Sequence, residues 1–179
     1  MAKHEHVIQL SEVPVEKINA PEGSAFGGQR QRVGPQIGAR KLGYSFFKVP
    51  PGKAAFPCHT HSGNEEMIYI IDGAGVLRFG KEEIAVAAGS VIACPPGGDY
   101  AHQLINTGAG ELHYLVVSTM DYPDLSEYPD SNKVGAYGGP AVGPNVGFRA
   151  LYVRDQKVNY YDGEDGKEIG RIMNSVRRR

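Results

Sequence analysis

Two short stretches of this chain carry the residues best suited to chemistry. The first, Gly52 to Gly73, reads GKAAFPCHTHSGNEEMIYIIDG; it holds His59 and His61, with adjacent carboxylates following at Glu65 and Glu66. The second, Gly89 to Asn106, reads GSVIACPPGGDYAHQLIN and adds His102. Strand side chains alternate, so His59 and His61 project from one face and can meet one ion. Counting in twos from His61 favours Glu65 as the accompanying carboxylate. Gly63 interrupts that strand, and a bulge there reverses the parity, so Glu65 and Glu66 both stand as candidates. Three imidazoles and one carboxylate suit a divalent Fe, Mn, Ni, Cu or Zn ion. They leave coordination positions free for a reactant, the arrangement of a catalytic rather than a closed structural site.

The elements that must position these side chains are short strands. Leu42 to Val49 is aromatic and aliphatic and ends at Pro50-Pro51-Gly52. Met67 to Ile71 is closed by Asp72-Gly73, a favoured hairpin pair. Val76 to Phe79 precedes a turn at Gly80-Lys81, and Glu83 to Ala88 alternates up to Gly89. Ser90 to Cys94, His102 to Asn106 and Leu112 to Ser118 complete the series. Strands this short, with turn signals every eight to twelve residues, predict an all-β sandwich or barrel. Beyond it, residues 119–147 are rich in Gly and Pro. A structureless loop of that length is uncommon in a compact domain, so the stretch reads as an ordered arm over its own barrel or a partner's. Tyr122, Tyr128, Tyr137 and Tyr152 suit such packing. Residues 148–161 are strand-like with a break near Asp155-Gln156, and Glu168 to Met173 reads as a last short strand. The DGEDGKE segment between them is a turn whose acidic spacing does not fit a calcium loop.

The chain has 179 residues, enough for one domain, and its 24 glycines and 12 prolines favour many turns over long helices. A net charge of −1 creates no field that would favour nucleic acid or a membrane surface as partner. The Arg177-Arg178-Arg179 tip reads as a frayed terminus. His4 and His6 lack a further ligand at suitable spacing and read as solvated. Residues 25–41, with four basic side chains, read as loop or edge strand presenting a solvated cationic face. No apolar leader and no membrane-length run is present, and Cys58 and Cys94 do not form a disulfide framework; the expected location is a reducing cytoplasm.

The two site stretches resemble the two motifs of the cupin superfamily. Gly52, His59, His61, Glu66 and Gly73 follow the first motif, with one extra residue between Gly52 and His59. The motif's interval from carboxylate to glycine fits Glu66 and not Glu65. Gly89, Pro95, Gly97, His102 and Asn106 follow the second, with Gly98-Asp99-Tyr100-Ala101 two residues longer than the pattern. The wider chain is similar to small single-domain bacterial cupins without an assigned activity. The resemblance implies a double-stranded β-helix barrel over 42–118, an N-terminal lead-in over 1–41 packed on it, and a C-terminal arm and strands over 119–179 completing the barrel or a dimer. It implies one divalent transition metal held by His59, His61, Glu66 and His102, and a homodimer. It also implies a metal-dependent enzyme acting on a small polar molecule, dioxygenase-like first and isomerase or decarboxylase second. A module that binds a small molecule without turnover is the competing function.

Around this centre, Tyr114 and Tyr100 are the candidate catalytic residues. Asp99 shares the lengthened loop with Tyr100, and Asn106 lies on the His102 strand, either orienting a ligand or serving the turn after it. His113 has the opposite parity to Tyr114 and is expected to face outward. Arg78, between Leu77 and Phe79, is expected to face solvent. Cys58 and Cys94 read as small buried hydrophobes.

Overall fold

The computed structural model describes residues 4–139 and 147–177. Its strands are β1 (Glu16–Lys17), β2 (Gln29–Arg32), β3 (Leu42–Val49), β4 (Thr60–His61), β5 (Glu66–Asp72), β6 (Ala74–Phe79), β7 (Glu82–Ala87), β8 (Val91–Cys94), β9 (His102–Ile105), β10 (Leu112–Thr119), β11 (Asp124–Tyr128), β12 (Lys133–Tyr137) and β13 (Arg149–Val153). One helix, α1 (Lys167–Val176), follows. A six-stranded sheet runs β1-β2-β3-β10-β5-β8, a three-stranded sheet β7-β6-β9, and a four-stranded sheet β13-β12-β11-β4. The chain is all-β in its body and is wound as a double-stranded β-helix.

Alternation along the strands builds the core between the first two sheets. Phe47 and Val49 of β3, Ile68 and Ile70 of β5, and Leu112 and Tyr114 of β10 meet Leu77 of β6, Val86 of β7 and Leu104 of β9. Each such burial stabilises by about 1.5–3 kcal/mol relative to exposure. The three-stranded and four-stranded sheets are joined at one point, an antiparallel bridge between His59 and His102.

Several expectations from sequence are corrected. Asp72-Gly73 does not close a hairpin, because β5 pairs with β10 and β8 while β6 pairs with β7 and β9. The pair is instead the corner where the chain leaves one sheet for the other. Gly73 has φ +88°, and a Cβ there would lie 2.7 Å from the Glu111 carbonyl oxygen, so the corner requires glycine. Glu168 to Met173 is helical, not extended. Ile169, Ile172, Met173 and Val176 recur at three- and four-residue spacing, which is the helix period. Lys157 to Tyr161 forms no strand; β13 stops at Val153. Arg30 and Arg32 are not a solvated face. Arg30 donates one hydrogen bond to Glu16 at 3.0 Å, and Arg32 donates from Nε and from Nη2, the latter at 2.8 Å. In the 119–147 stretch, β11 and β12 pair with each other, and β11 also pairs with β4 of the same chain. The remainder of that stretch, 140–146, lies outside the described residues, as do Arg178 and Arg179 of the basic tip.

Asn106 serves the turn. It is 1% exposed; its Nδ2 donates to Val49 O at 2.7 Å and Gly110 O at 2.8 Å, and its Oδ1 accepts the Gly108 N–H at 2.9 Å. Asn106→Asp would set an acceptor against two carbonyl oxygens. The expected outcome is a loss of about 2–4 kcal/mol in denaturant unfolding; an unchanged midpoint would contradict this role. Glu16 yields a pH prediction. Hydrogen bonding from Arg32, with a smaller contribution from Arg30, holds its pKa below the ordinary glutamate value. A lowered folded-state pKa gives stability that is present at neutral pH and lost as pH falls through the acidic range. The stability gap between wild type and Glu16→Gln should therefore close on acidification, and a gap that stays constant would contradict it.

Candidate metal centre

The site lies at the seam between sheets. His59 and His102 exchange both backbone hydrogen bonds, His59 N to His102 O at 3.1 Å and His102 N to His59 O at 2.8 Å. That places the two rings side by side, with centroids 4.9 Å apart. His61, two residues along, points the same way as His59, with ring centroids 5.3 Å apart. Thr60 between them faces oppositely and donates to Gly97 O at 2.6 Å, while the Gly97 N–H bonds His61 O at 2.8 Å. The Pro95–Gly97 turn is thereby laced to β4 and carries the chain toward His102.

The carboxylate arrives from the opposite sheet. Glu65 is exposed and Glu66 is turned inward at the start of β5. The parity changes because Asn64 is buried in the bend. Its Oδ1 accepts from Thr119 Oγ1 and Asp121 N, and its Nδ2 donates to Asp121 O. Glu66 Oε2 lies 3.1 Å from His102 Nε2 and 3.9 Å from His59 Nε2, and Oε1 lies 4.0 Å from His61 Nε2. His59, His61 and Glu66 offer ligand atoms all within 4.8 Å of one another. His102 joins them through its contact with Glu66.

The hydrogen bonds of the other ring nitrogens decide what this cluster can hold. His59 Nδ1 lies 2.9 Å from Pro57 O, and His102 Nδ1 lies 3.1 Å from Tyr100 O. His61 Nδ1 lies 2.6 Å from Asp124 Oδ2. A carbonyl oxygen only accepts, and so does a carboxylate, so each Nδ1 carries its proton and donates it. In the neutral ring each Nε2 then keeps a lone pair, and all three Nε2 atoms face one carboxylate. Without a cation, three electron-rich nitrogens and an anion would be gathered against their mutual preference. The donor set and its polarity thus fit a divalent transition metal.

The electrostatics agree. Burial holds His59 down to about 4, against the pull of Glu66. Burial would also lower His102, but contacts with Cys94 and Glu66 outweigh it and push that pKa up to about 10. For Glu66, burial works toward a higher value and is overcome by the His102 hydrogen bond and the charges of the three histidines, which leave its pKa lowered.

The remaining candidates are placed unequally. Tyr114 is 4% exposed and stacks on Phe47 at 5.1 Å; burial, with a smaller effect of the Glu66 charge, raises its pKa. Tyr100 packs its ring against Phe79 at 6.0 Å and serves His102 through its carbonyl. Asp99 is exposed. Asn106 bonds the turn and not a histidine. His113 faces outward toward Glu111. Arg78 turns away from the core, as its neighbours suggest, yet it is engaged by Asp130 and Gln103 and not merely solvated. Cys58 and Cys94 are buried; Cys94 sits opposite Glu66 across the β5–β8 pair and also touches His102. His4 and His6 are exposed.

Sequence reasoning missed β11. Asp124 and Ser126 reach His61 Nδ1 at 2.6 and 3.2 Å. The Tyr128 ring stacks on His59 at 6.0 Å, and its hydroxyl meets that of Tyr137 at 2.9 Å. The signal is present in the alternation Asp124-x-Ser126-x-Tyr128, which puts all three on one strand face. Flanking Pro and Gly residues obscure it.

Residues 45–118 match the cupin domain family. Over that segment the chain carries a cupin domain. The chain is similar to the oxalate-binding protein of Thermotoga maritima, 32% identical over 74 residues, which are 41% of this chain and 59% of that protein. The match thus spans less than two thirds of that relative. Among solved structures, a protein from Thermotoga maritima described as a predicted oxalate decarboxylase is 26% identical with a TM-score of 0.55, covering 63% of this chain and 97% of the other. A sugar phosphate isomerase from Silicibacter pomeroyi has a TM-score of 0.73 at 22% identity, covering 87% of this chain and 98% of the other; the likeness there is one of fold. Among the described residues, no helix is long and apolar enough to cross a membrane.

The hydrogen-bond pattern makes a checkable statement. Nitrogen-detected NMR of the metal-free protein should show His59 in the Nδ1–H form. The Nε2–H form would contradict the placement of the lone pairs.

Proposed function

We propose that this cupin is a mononuclear metal protein that takes a small oxygen-rich molecule, a short dicarboxylate of the oxalate type, directly at its metal centre. The observation that carries this reading is the convergence of three Nε2 lone pairs on Glu66, each fixed by an acceptor at Nδ1. His59, His61, Glu66 and His102 would hold the ion. A divalent ion bound there supplies positive charge for carboxylate oxygens and polarises them. The choice of ligand is supported by the oxalate-binding relative and the solved structure described as a predicted oxalate decarboxylase. Phe56, edge-on to His59, and Tyr128, stacked on it, wall the imidazoles on two sides. Burial keeps Tyr114 a neutral phenol, so it offers a hydrogen-bond donor and not a general base.

Binding therefore stands ahead of oxidation. Burial leaves Tyr114 untuned for proton abstraction near pH 7, and neither relative named for oxalate is an oxidising enzyme by its description. Decarboxylation or isomerisation is the turnover consistent with the same centre.

The test is calorimetric titration of oxalate into protein loaded with one divalent metal, into chelator-treated protein, and into Glu66→Gln. Binding to the loaded protein alone is expected, with metal affinity in Glu66→Gln lowered at least about tenfold. Equal oxalate binding with and without metal would sink the proposal. Formate and carbon dioxide in the loaded sample would add decarboxylation to binding.

A further inference from the structure

Resting on the metal-centre reading, we propose that Asp124 is a positioning residue that fixes His61 for the metal, making the arm beyond the matched cupin segment a working part of the site. Asp124 is 3% exposed at the start of β11. Its Oδ2 lies 2.6 Å from His61 Nδ1, and its Oδ1 accepts the Gly63 N–H at 3.0 Å. One carboxylate thus holds both the imidazole and the bend that returns the chain to Glu66.

The three histidines differ in this respect. His59 and His102 donate to backbone carbonyls, and His61 alone donates to a carboxylate. Such a hydrogen bond is shorter and stronger than its neutral counterpart and makes the far nitrogen a better electron donor. A carboxylate this deeply buried is costly unless it is compensated. Its ion-pair partner among the described residues is His61. A cation on His61 Nε2 would lie directly beyond that ring and supply the missing charge. Ser126 Oγ, 3.2 Å from the same Nδ1, adds a second polar contact at that ring edge. Asp124 falls after residue 118, where the cupin match ends, so the family motifs do not contain it.

The experiment compares wild type and Asp124→Asn, which keeps an acceptor for the Gly63 N–H. Zn(II) affinity is measured against a chromophoric chelator, and the His61 tautomer is read by nitrogen-detected NMR on the metal-free proteins. The expected result is a loss of affinity of about 10–100-fold together with a His61 ring that no longer holds a single Nδ1–H form. Affinity within about threefold of wild type would overturn the proposal, since an orienting contact of this kind costs more. So would a loss of affinity with the His61 tautomer unchanged, because the effect would then run through the Gly63 bend. The wild-type spectrum is a test that needs no variant: an Nε2–H form at His61 also overturns it. Failure of wild type itself to bind Zn(II) would instead remove the metal-centre reading on which the proposal rests.

Discussion

The site depends on one constraint, the pair of backbone hydrogen bonds between His59 and His102. These bonds join the three-stranded sheet to the four-stranded sheet. They also set two imidazoles side by side without any demand on the side chains. Everything else is arranged with respect to that bridge. Alternation along β4 brings His61 to the same face, β5 of the facing sheet brings Glu66 across, and β11 closes the remaining side by pairing with β4.

Polar satisfaction explains why the arrangement is specific. Three imidazoles and two carboxylates are gathered in largely buried surroundings, where an unpaired polar group costs on the order of 1–3 kcal/mol. The Nδ1 atoms are each matched to an acceptor fixed by the fold: Pro57 O, Tyr100 O and the Asp124 carboxylate. The unmatched capacity is all of one kind, lone pairs and negative charge, and all directed to one place. A core of this composition is high in stability cost and low in ambiguity about what completes it. The lengthened Gly98–Ala101 segment fits the same logic, since its Tyr100 carbonyl holds the His102 ring.

Much of this was legible in the sequence because strands advertise themselves by alternation and turns by Gly and Pro. The strands from Leu42 to Thr119 were readable within a residue or two. His59, His61 and His102 were legible as a group, and the choice of Glu66 over Glu65 came from the resemblance to a family motif. Counting in twos failed there because Asn64 turns inward to satisfy Thr119 and Asp121, contacts that no local pattern reveals. Asp72-Gly73 was legible as a turn but not as a sheet-to-sheet corner, since pairing partners are decided by tertiary structure. Glu168 to Met173 reads as a last short strand, yet the spacing of Ile169, Ile172, Met173 and Val176 is helical, a pattern that shows only when the stretch is followed to Val176. Asp124 was invisible as a partner of His61 for the simplest reason: 63 residues separate them.

The central claim is that His59, His61, His102 and Glu66 complete one metal shell. X-ray absorption spectroscopy at the edge of a single bound Zn(II) tests it most directly. The account predicts light nitrogen and oxygen donors at about 2.0–2.2 Å, with multiple scattering from three imidazole rings. A sulfur scatterer at about 2.3 Å, which would bring in Cys94 opposite Glu66, or a shell with fewer than three imidazoles, would contradict it.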